Sequence, residues 1–365
     1  MSQYSWNALS TRYRGWKSPT LRIKIGNFLL SQKEWLLESL DCELGVDSEA
    51  GYCEMLLTRV YDAKSSCFLC EQELALGVTV EVSLGYTAIK PVFWGYLYEI
   101  SYELGETEGV RLRCMDVKGA MMGNGPLHLS GSQTCREAIQ GIFSGRWARG
   151  YAALCSSPVL SGLPELDQPL PFFPNAMDDY AFLSEIARRF GLEFFVQEEK
   201  LLIRKKPDSG VPLLDITPDR VFACRAVFSS VGYLNRITVH GSSDDSRDEQ
   251  KKQVKGTALA RVPLPVGSGS AQKLIGNREG ELYLPSVRDG ASAQNLAEAQ
   301  MRERQTLASR IELRMRALPD LLPGCFLTLE KFSPLINGRV YISSVSHHWS
   351  REEFSTTLLC RKEPS

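Results

Sequence analysis

Few side chains in this chain are spaced for chemistry, and each meets a plainer reading. Cys67-x-x-Cys70 has the spacing of a zinc or redox pair. A structural zinc wants four ligands, yet no second Cys-x-x-Cys is present and His128 is distant in sequence. His347 and His348 are adjacent. On a strand they point to opposite faces, so they cannot readily hold one ion. Asp178-Asp179 stand before a helical pattern, where capping accounts for them. Asp244-Asp245 lie in a charged run, where solvation does. No Gly-rich phosphate loop, nucleophile elbow or HExxH helix is visible. Nucleophile, base and orienter are not found together. The expectation is a non-enzyme without catalytic residues, metal or cofactor.

One charged pattern has a role to weigh. Arg310, Arg314 and Arg316 alternate with Ile311, Leu313 and Met315. That is a strand with one apolar and one charged face. The charged face is either a solvated sheet surface or the lining of a channel or subunit boundary.

The elements behind these residues are mostly strands, and one set occurs twice. Leu76 to Val82, Gly95 to Ser101 and Val110 to Cys114 form the first copy. Pro323 to Leu329, Gly338 to Ser344 and Thr356 to Cys360 form the second. In each copy a Gly (Gly77, Gly324) opens an alternating strand and a second Gly (Gly95, Gly338) opens the next. A Gly before a strand marks a turn with positive φ or a close backbone approach. Two copies so far apart point to a duplicated domain and not to a solenoid.

With 365 residues and a formal charge of -1, the chain predicts two or three globular domains and no nucleic-acid partner. Met1 to Arg14 lacks an apolar core, so no secretory signal is visible, and no apolar stretch is long enough to span a bilayer. The ten cysteines are then expected to be reduced thiols of a cytoplasmic chain. Residues 1–19 read as an extension. Residues 20–125 read as a first β-barrel domain, closed by a Gly-rich hinge from Met121 to Leu129.

Residues 126–210 read as a small α/β module. Thr134 and Glu137 form a capping box, Leu154 to Asn175 is a Pro-rich connector, and Asp178 or Asp179 caps a helix. That helix presents Phe182, Ile186 and Phe190, ends at Gly191, and leads into a hairpin. Residues 211–365 read as a second barrel with a polar insertion at 242–280 and a helix capped by Ser292. The fold class is mainly β, with two tandem barrel-like domains flanking the α/β module.

Several strings resemble a known family. Leu84-Gly85-Tyr86, the strand around Gly95 and Met115-Asp116-Val117-Lys118-Gly119 are similar to the first barrel of the phage late control gene D family. Asp179-Tyr180-Ala181-Phe182-Leu183 and Ala187 to Phe195 resemble its middle module. Leu322-Pro323-Gly324 and Gly338-Arg339-Val340-Tyr341 resemble its closing barrel. The resemblance runs from about residue 20 to the end.

This family supplies baseplate hubs of contractile tails, R-type bacteriocins and the hub part of type VI secretion VgrG proteins. The resemblance implies a homotrimer joining a hexameric tail tube to a central spike, beside baseplate wedge or inner baseplate proteins. Synthesis would be cytoplasmic, followed by assembly into the particle. VgrG proteins continue into an OB domain and a β-helical spike, so this chain, ending at Ser365, implies a separate spike protein. The competing reading is a tail-associated cell-wall hydrolase or carbohydrate-binding protein on tandem β domains.

Overall fold

Period-two alternation builds most of the molecule. The computed structural model describes residues 2–46, 50–105, 108–124, 134–170, 177–207, 209–242, 253–261, 274–275, 278–284 and 287–363. The first half contributes β1 (Thr20–Ile25), β2 (Phe28–Leu29), β3 (Leu36–Gly45), β4 (Tyr52–Thr58), β5 (Tyr61–Asp62), β6 (Cys67–Phe68), β7 (Thr79–Gly85), β8 (Ile89–Glu103) and β9 (Gly109–Met115). In β4 the pattern is nearly strict: Cys53, Met55 and Leu57 are buried, and Glu54, Leu56 and Thr58 are not. Their apolar sides, with Leu40, Val80, Val82, Leu112 and Cys114, make the first core.

The middle module follows, with α2 (Val117–Met121), α3 (Cys135–Ser144), α4 (Ala148–Ala152), α5 (Asp179–Phe190), β10 (Leu192–Gln197) and β11 (Lys200–Lys205). Thr134 and Glu137 make the capping box at α3. Asp178 caps α5, accepting from the Ala181 N–H at 2.7 Å, while Asp179 is buried and accepts from the Tyr151 hydroxyl. Gly191 ends α5 at φ +63°, a left-handed turn that Gly adopts without strain. Phe182, Leu183, Ile186 and Phe190 pack on the β10–β11 hairpin in one core.

The second half supplies β12 (Asp215–Ile216), β13 (Val221–Phe228), β14 (Arg236–Ser242), β15 (Gln253–Leu259), β16 (Glu279–Tyr283), α6 (Gly290–Ala308), β17 (Ser309–Arg316), β18 (Phe326–Leu329), β19 (Gly338–Ser350) and β20 (Phe354–Lys362). Strands β15–β14–β16 form their own sheet, and α6 covers it around Ile237, Val239, Leu296 and Met301. The expected polar insertion at 242–280 therefore holds β15 and the start of β16, parts of a folded subdomain between β13 and β17. Most of the remaining charged run from Ser242 and of the Gly/Ser stretch lies outside the described residues, as does most of the Met121–Leu129 segment. Asp289, not Ser292, caps α6; the Ser292 N–H donates to its side chain at 2.8 Å.

The two β domains share one five-strand unit. In the first, Cys42, Cys53, Cys114 and Leu97 stand in one row across β3, β4, β9 and β8. In the second, Ala226, Ile311, Cys360 and Ile342 stand in the same row across β13, β17, β20 and β19. Bulges coincide as well: Leu37/Ser39 matches Val221/Ala223, and Leu97/Glu99 matches Ile342/Ser344. The fifth strands, β7 and β18, enter alike. Gly77 donates to Leu97 O at 2.8 Å, and Gly324 donates to Ile342 O at 2.9 Å. Both glycines have φ near +80°, in the turn just before the strand.

One expected equivalence fails. Gly95 does not open a strand; it lies inside β8, opposite Val80. Gly338 does open β19, at φ +118°, but by register it matches Phe93. Gly95 answers a different demand. A Cβ there would overlap the Met115 carbonyl oxygen and lie 2.7 Å from the Phe93 ring.

The N-terminus is no loose extension. Gln3 and Tyr4 donate backbone hydrogen bonds to Pro212 and Leu213 at 2.7 and 2.9 Å. Helix α1 (Trp6–Arg12) then buries Leu9, and Tyr13 just after it, in the core of the second β domain. Asp320, whose side chain is 1% exposed, pairs with Arg12 at 2.8 Å, Lys90 at 2.5 Å and the Tyr13 hydroxyl at 2.5 Å. Lys90 belongs to the first β domain, so this carboxylate fastens the N-terminus, the first domain and the second.

The two units are also continuous. Strand β19 pairs antiparallel with β3, from Ser344↔Gly45 to Ser350↔Ser39. Eight strands therefore follow one another as β13–β17–β20–β19–β3–β4–β9–β8.

Candidate functional site: a charged sheet face and two open edges

Along most of those eight strands alternate side chains enter a core, and the others form a second, mainly polar face. On the first domain, Glu54 accepts from Arg111 at 2.6 Å and from Arg113 at 2.7 Å. Arg113 also reaches Glu99 at 2.7 Å, and Arg111 reaches Glu103 at 3.3 Å. The hydrogen bond from Arg113, then that from Arg111, holds the Glu54 carboxyl below its ordinary value.

At the β19–β3 seam, Ser344 donates to Glu43 at 3.1 Å and His348 Nδ1 meets Asp41 Oδ1 at 2.7 Å. On β17 the pattern predicted from sequence is present. Ile311, Leu313 and Met315 are buried, while Arg310, Arg314 and Arg316 are exposed. Arg314 pairs with Glu353, whose carboxyl Arg314 and then Ser355 hold down to about 2. The Arg316 guanidinium lies 5.5 Å over the Trp16 ring. The three arginines thus share one face with the Glu54 network.

The run ends in two free edges. Strand β7 follows β8 only to Thr79↔Tyr96, after which one side of β8 has no partner strand among the described residues. The outer side of β13 has none either. Large apolar side chains stand exposed there: Phe222 at 61%, Leu104 at 58% and Tyr102 at 42%. Exposed apolar residues on an open strand edge are the usual mark of a surface that pairs.

The other sequence candidates go elsewhere. Cys70 is buried in the first core and its thiol is pushed up to about 11 by burial, while Cys67 sits 3.1 Å from the Ser65 hydroxyl. Cys42 and Cys53 are cross-strand neighbours with sulfurs 2.8 Å apart, and both are free thiols. Among the described residues, no three His, Cys, Asp or Glu side chains gather as a metal-holding group. His128 and Asp244-Asp245 lie outside the described residues. No helix among the described residues is long and apolar enough to cross a membrane.

His347 and His348 do split across the sheet. His348 takes the polar face, and His347 is buried against Thr356 Oγ1 at 2.8 Å. Burial lowers His347 to about 4, from 6.5. The unfolded chain therefore binds the extra proton first as pH falls. Stability should be full above pH 6.5 and drop between 6.5 and about 4, by up to about 3 kcal/mol. Denaturant melts across that window should show the slope, and His347→Gln should flatten it. An unchanged slope would count against the buried neutral imidazole.

Sequence reading missed three features. Asp320 gave no signal, because nothing local marks a carboxylate held by residues as distant as Arg12, Tyr13 and Lys90. A cleft of about 480 Å³ between α5, β10 and α6, lined by Arg188, Glu193, Lys206 and Arg302, depends on tertiary packing alone. The open edges of β8 and β13 are visible only once the pairing is known.

No family model matches the chain, and no curated protein matches its sequence. Solved structures do match its shape. A tail protein from Neisseria meningitidis superposes with a TM-score of 0.68 at 13% identity, covering 95% of this chain and 97% of that one. The 43 kDa tail protein of prophage MuSo2 from Shewanella oneidensis gives 0.67 at 12% identity, covering 94% and 98%. An Escherichia coli component of the type VI secretion system, described as similar to bacteriophage T4 tail proteins gp27 and gp5, gives 0.54 at 10% identity, covering 94% and 76%. The chain has the tail-protein fold. Nearly the whole length takes part, including the middle module and the inserted subdomain. The tail-protein fold is thus the frame that holds the charged face and the open edges.

Proposed function

We propose that this chain is a structural baseplate hub of a contractile phage tail, R-type bacteriocin or injection system. It works as a homotrimer that joins a hexameric tail tube to a spike protein, within a ring of wedge or inner baseplate proteins. The observation that carries this reading is the five-strand unit repeated in one register, with two bulges in the same places. Three chains then offer six similar units, which is what a threefold body needs to meet a sixfold tube. The charged face carrying Arg310, Arg314 and Arg316 would line the channel of that ring, where a polar, wetted surface belongs. The function is mechanical, and no catalytic step is assigned to the chain.

Native mass measurement on the full chain should give three copies, and particle images should place it between tube and spike. Another stoichiometry, or a position outside the central axis, would defeat the reading.

A further inference from the structure

Sulfur recurs along one row of the first sheet. Cys42, Cys53 and Cys114 stand opposite one another across β3, β4 and β9, and all three side chains enter the first core. The Cys42 and Cys53 sulfurs are 2.8 Å apart, inside ordinary non-bonded contact, and both are free thiols. We infer that this pair is a site of covalent modification, at which a small-molecule disulfide reversibly closes Cys42 and Cys53 into an intrachain cross-link. The inference concerns β3 and β4 alone and does not rest on the trimeric reading.

Packing by itself does not call for two sulfurs here. The second five-strand unit has Ala226 and Ile311 at the positions of Cys42 and Cys53. Its one sulfur in that row, Cys360, lies between Ile311 and Ile342, so the second unit has no matching pair. The geometry of the first unit suits a cross-link. Residues directly opposite in an antiparallel pair have Cα atoms about 4.5–5.5 Å apart, within the range of about 4.4–6.8 Å that a disulfide spans. Cys53 also has Cys114 in register on its other side, yet it is the Cys42 thiol that donates to its sulfur.

The exchange balances. One cysteine, as thiolate, attacks a sulfur of the small disulfide and releases one small thiol. The other cysteine then displaces the second small thiol from the mixed disulfide, and the Cys42–Cys53 bond forms. Two protein S–H bonds and the reagent's S–S bond are lost; one protein S–S bond and two small-thiol S–H bonds are gained. The protein gives up two electrons and the reagent takes them. Burial sets the pace. Cys42 is 2% exposed and Cys53 0%, and burial pushes the Cys53 thiol well above its ordinary value. The pair therefore reacts when β3 and β4 part, and it stays reduced where small thiols are in excess. Once closed, the link fixes β3, the strand that carries the seam to β19.

The test treats the purified full chain with 2-hydroxyethyl disulfide in sub-denaturing urea, removes both, caps free thiols and digests with trypsin. Cys42 and Cys53 fall in one peptide, Glu34 to Arg59, which has no Lys or Arg inside it. That peptide should come back uncapped and two hydrogens lighter, and a reducing thiol should restore both capping sites. Hydrogen exchange across Leu36–Gly45 and Tyr52–Thr58 should be slower in the oxidised chain. Two capped cysteines after the same treatment would overturn the inference. A cross-link from this peptide to the one that begins at Cys114 would overturn the choice of pair. A light peptide without slower exchange would show that the bond does not join the native strands, and would overturn it as well.

Discussion

Phe182→Ala should cost the middle module about 3–5 kcal/mol, the loss expected when a fully buried Phe leaves a cavity. Phe182 is 0% exposed on α5 and sits among Leu183, Ile186, Phe190, Phe194 and Ile203. The site is poor at collapsing, because it lies between a helix and a hairpin that are both fixed elsewhere. Asp178 and Gly191 fix the ends of α5, and Gln197 and Arg204 tie the hairpin to the second β domain at Pro323 O and Gly324 O, 2.8 and 2.7 Å away. Hydrogen exchange resolved by segment is the right measurement, since a chain with several cores need not unfold in one step. Protection should fall across residues 179–205 more than in β4 or β17. A change near zero there would mean that the helix face packs elsewhere.

Gly95→Val should be more damaging, on the order of 4 kcal/mol or more, a size reserved for substitutions that displace backbone. Strand β8 is held on both sides at this point, by β7 at Val80 and by β9 where Tyr96 meets Met115. The new Cβ overlaps the Met115 carbonyl, which cannot move without opening the β8–β9 ladder. Gly338 is the control. Nothing lies within 4 Å of a Cβ there, so Gly338→Ala should cost only its backbone strain at φ +118°, about 1–3 kcal/mol. Thermal melts of the two variants should separate clearly. Equal losses would restore the equivalence of Gly95 and Gly338 that the register denies.

What the sequence made legible was local. Alternation placed β4, β9, β17 and β20, and the paired positions of Cys114 and Cys360 hold in the structure. The turns at Gly77 and Gly324 were legible because only Gly takes φ near +80° cheaply. The capping box at Thr134 and the cap at Asp178 were legible for the same local reason. Gly95 was misread because turn and close approach leave the same residue in the sequence, and only the neighbouring strand tells them apart. The N-terminus was misread because its partners, Pro212, Leu213 and Asp320, lie far along the chain. The arginines of β17 were legible as a face, but the acids that complete that face come from β4, β8 and the turn before β20, joined only by folding.

The β3–β19 seam sets a timetable for synthesis. Residues 39–45 leave the ribosome some 300 residues before the strand that covers them, so the first domain must wait with an open edge. Contacts this distant slow folding, since a long loop must close before any of them forms. During the wait, the β3 edge, with Asp41 and Glu43 on its polar side, stands open to any strand that meets it. When the seam closes, His348 meets Asp41 and Ser344 meets Glu43. The first domain is thus completed only once β19, the last strand but one, has been made.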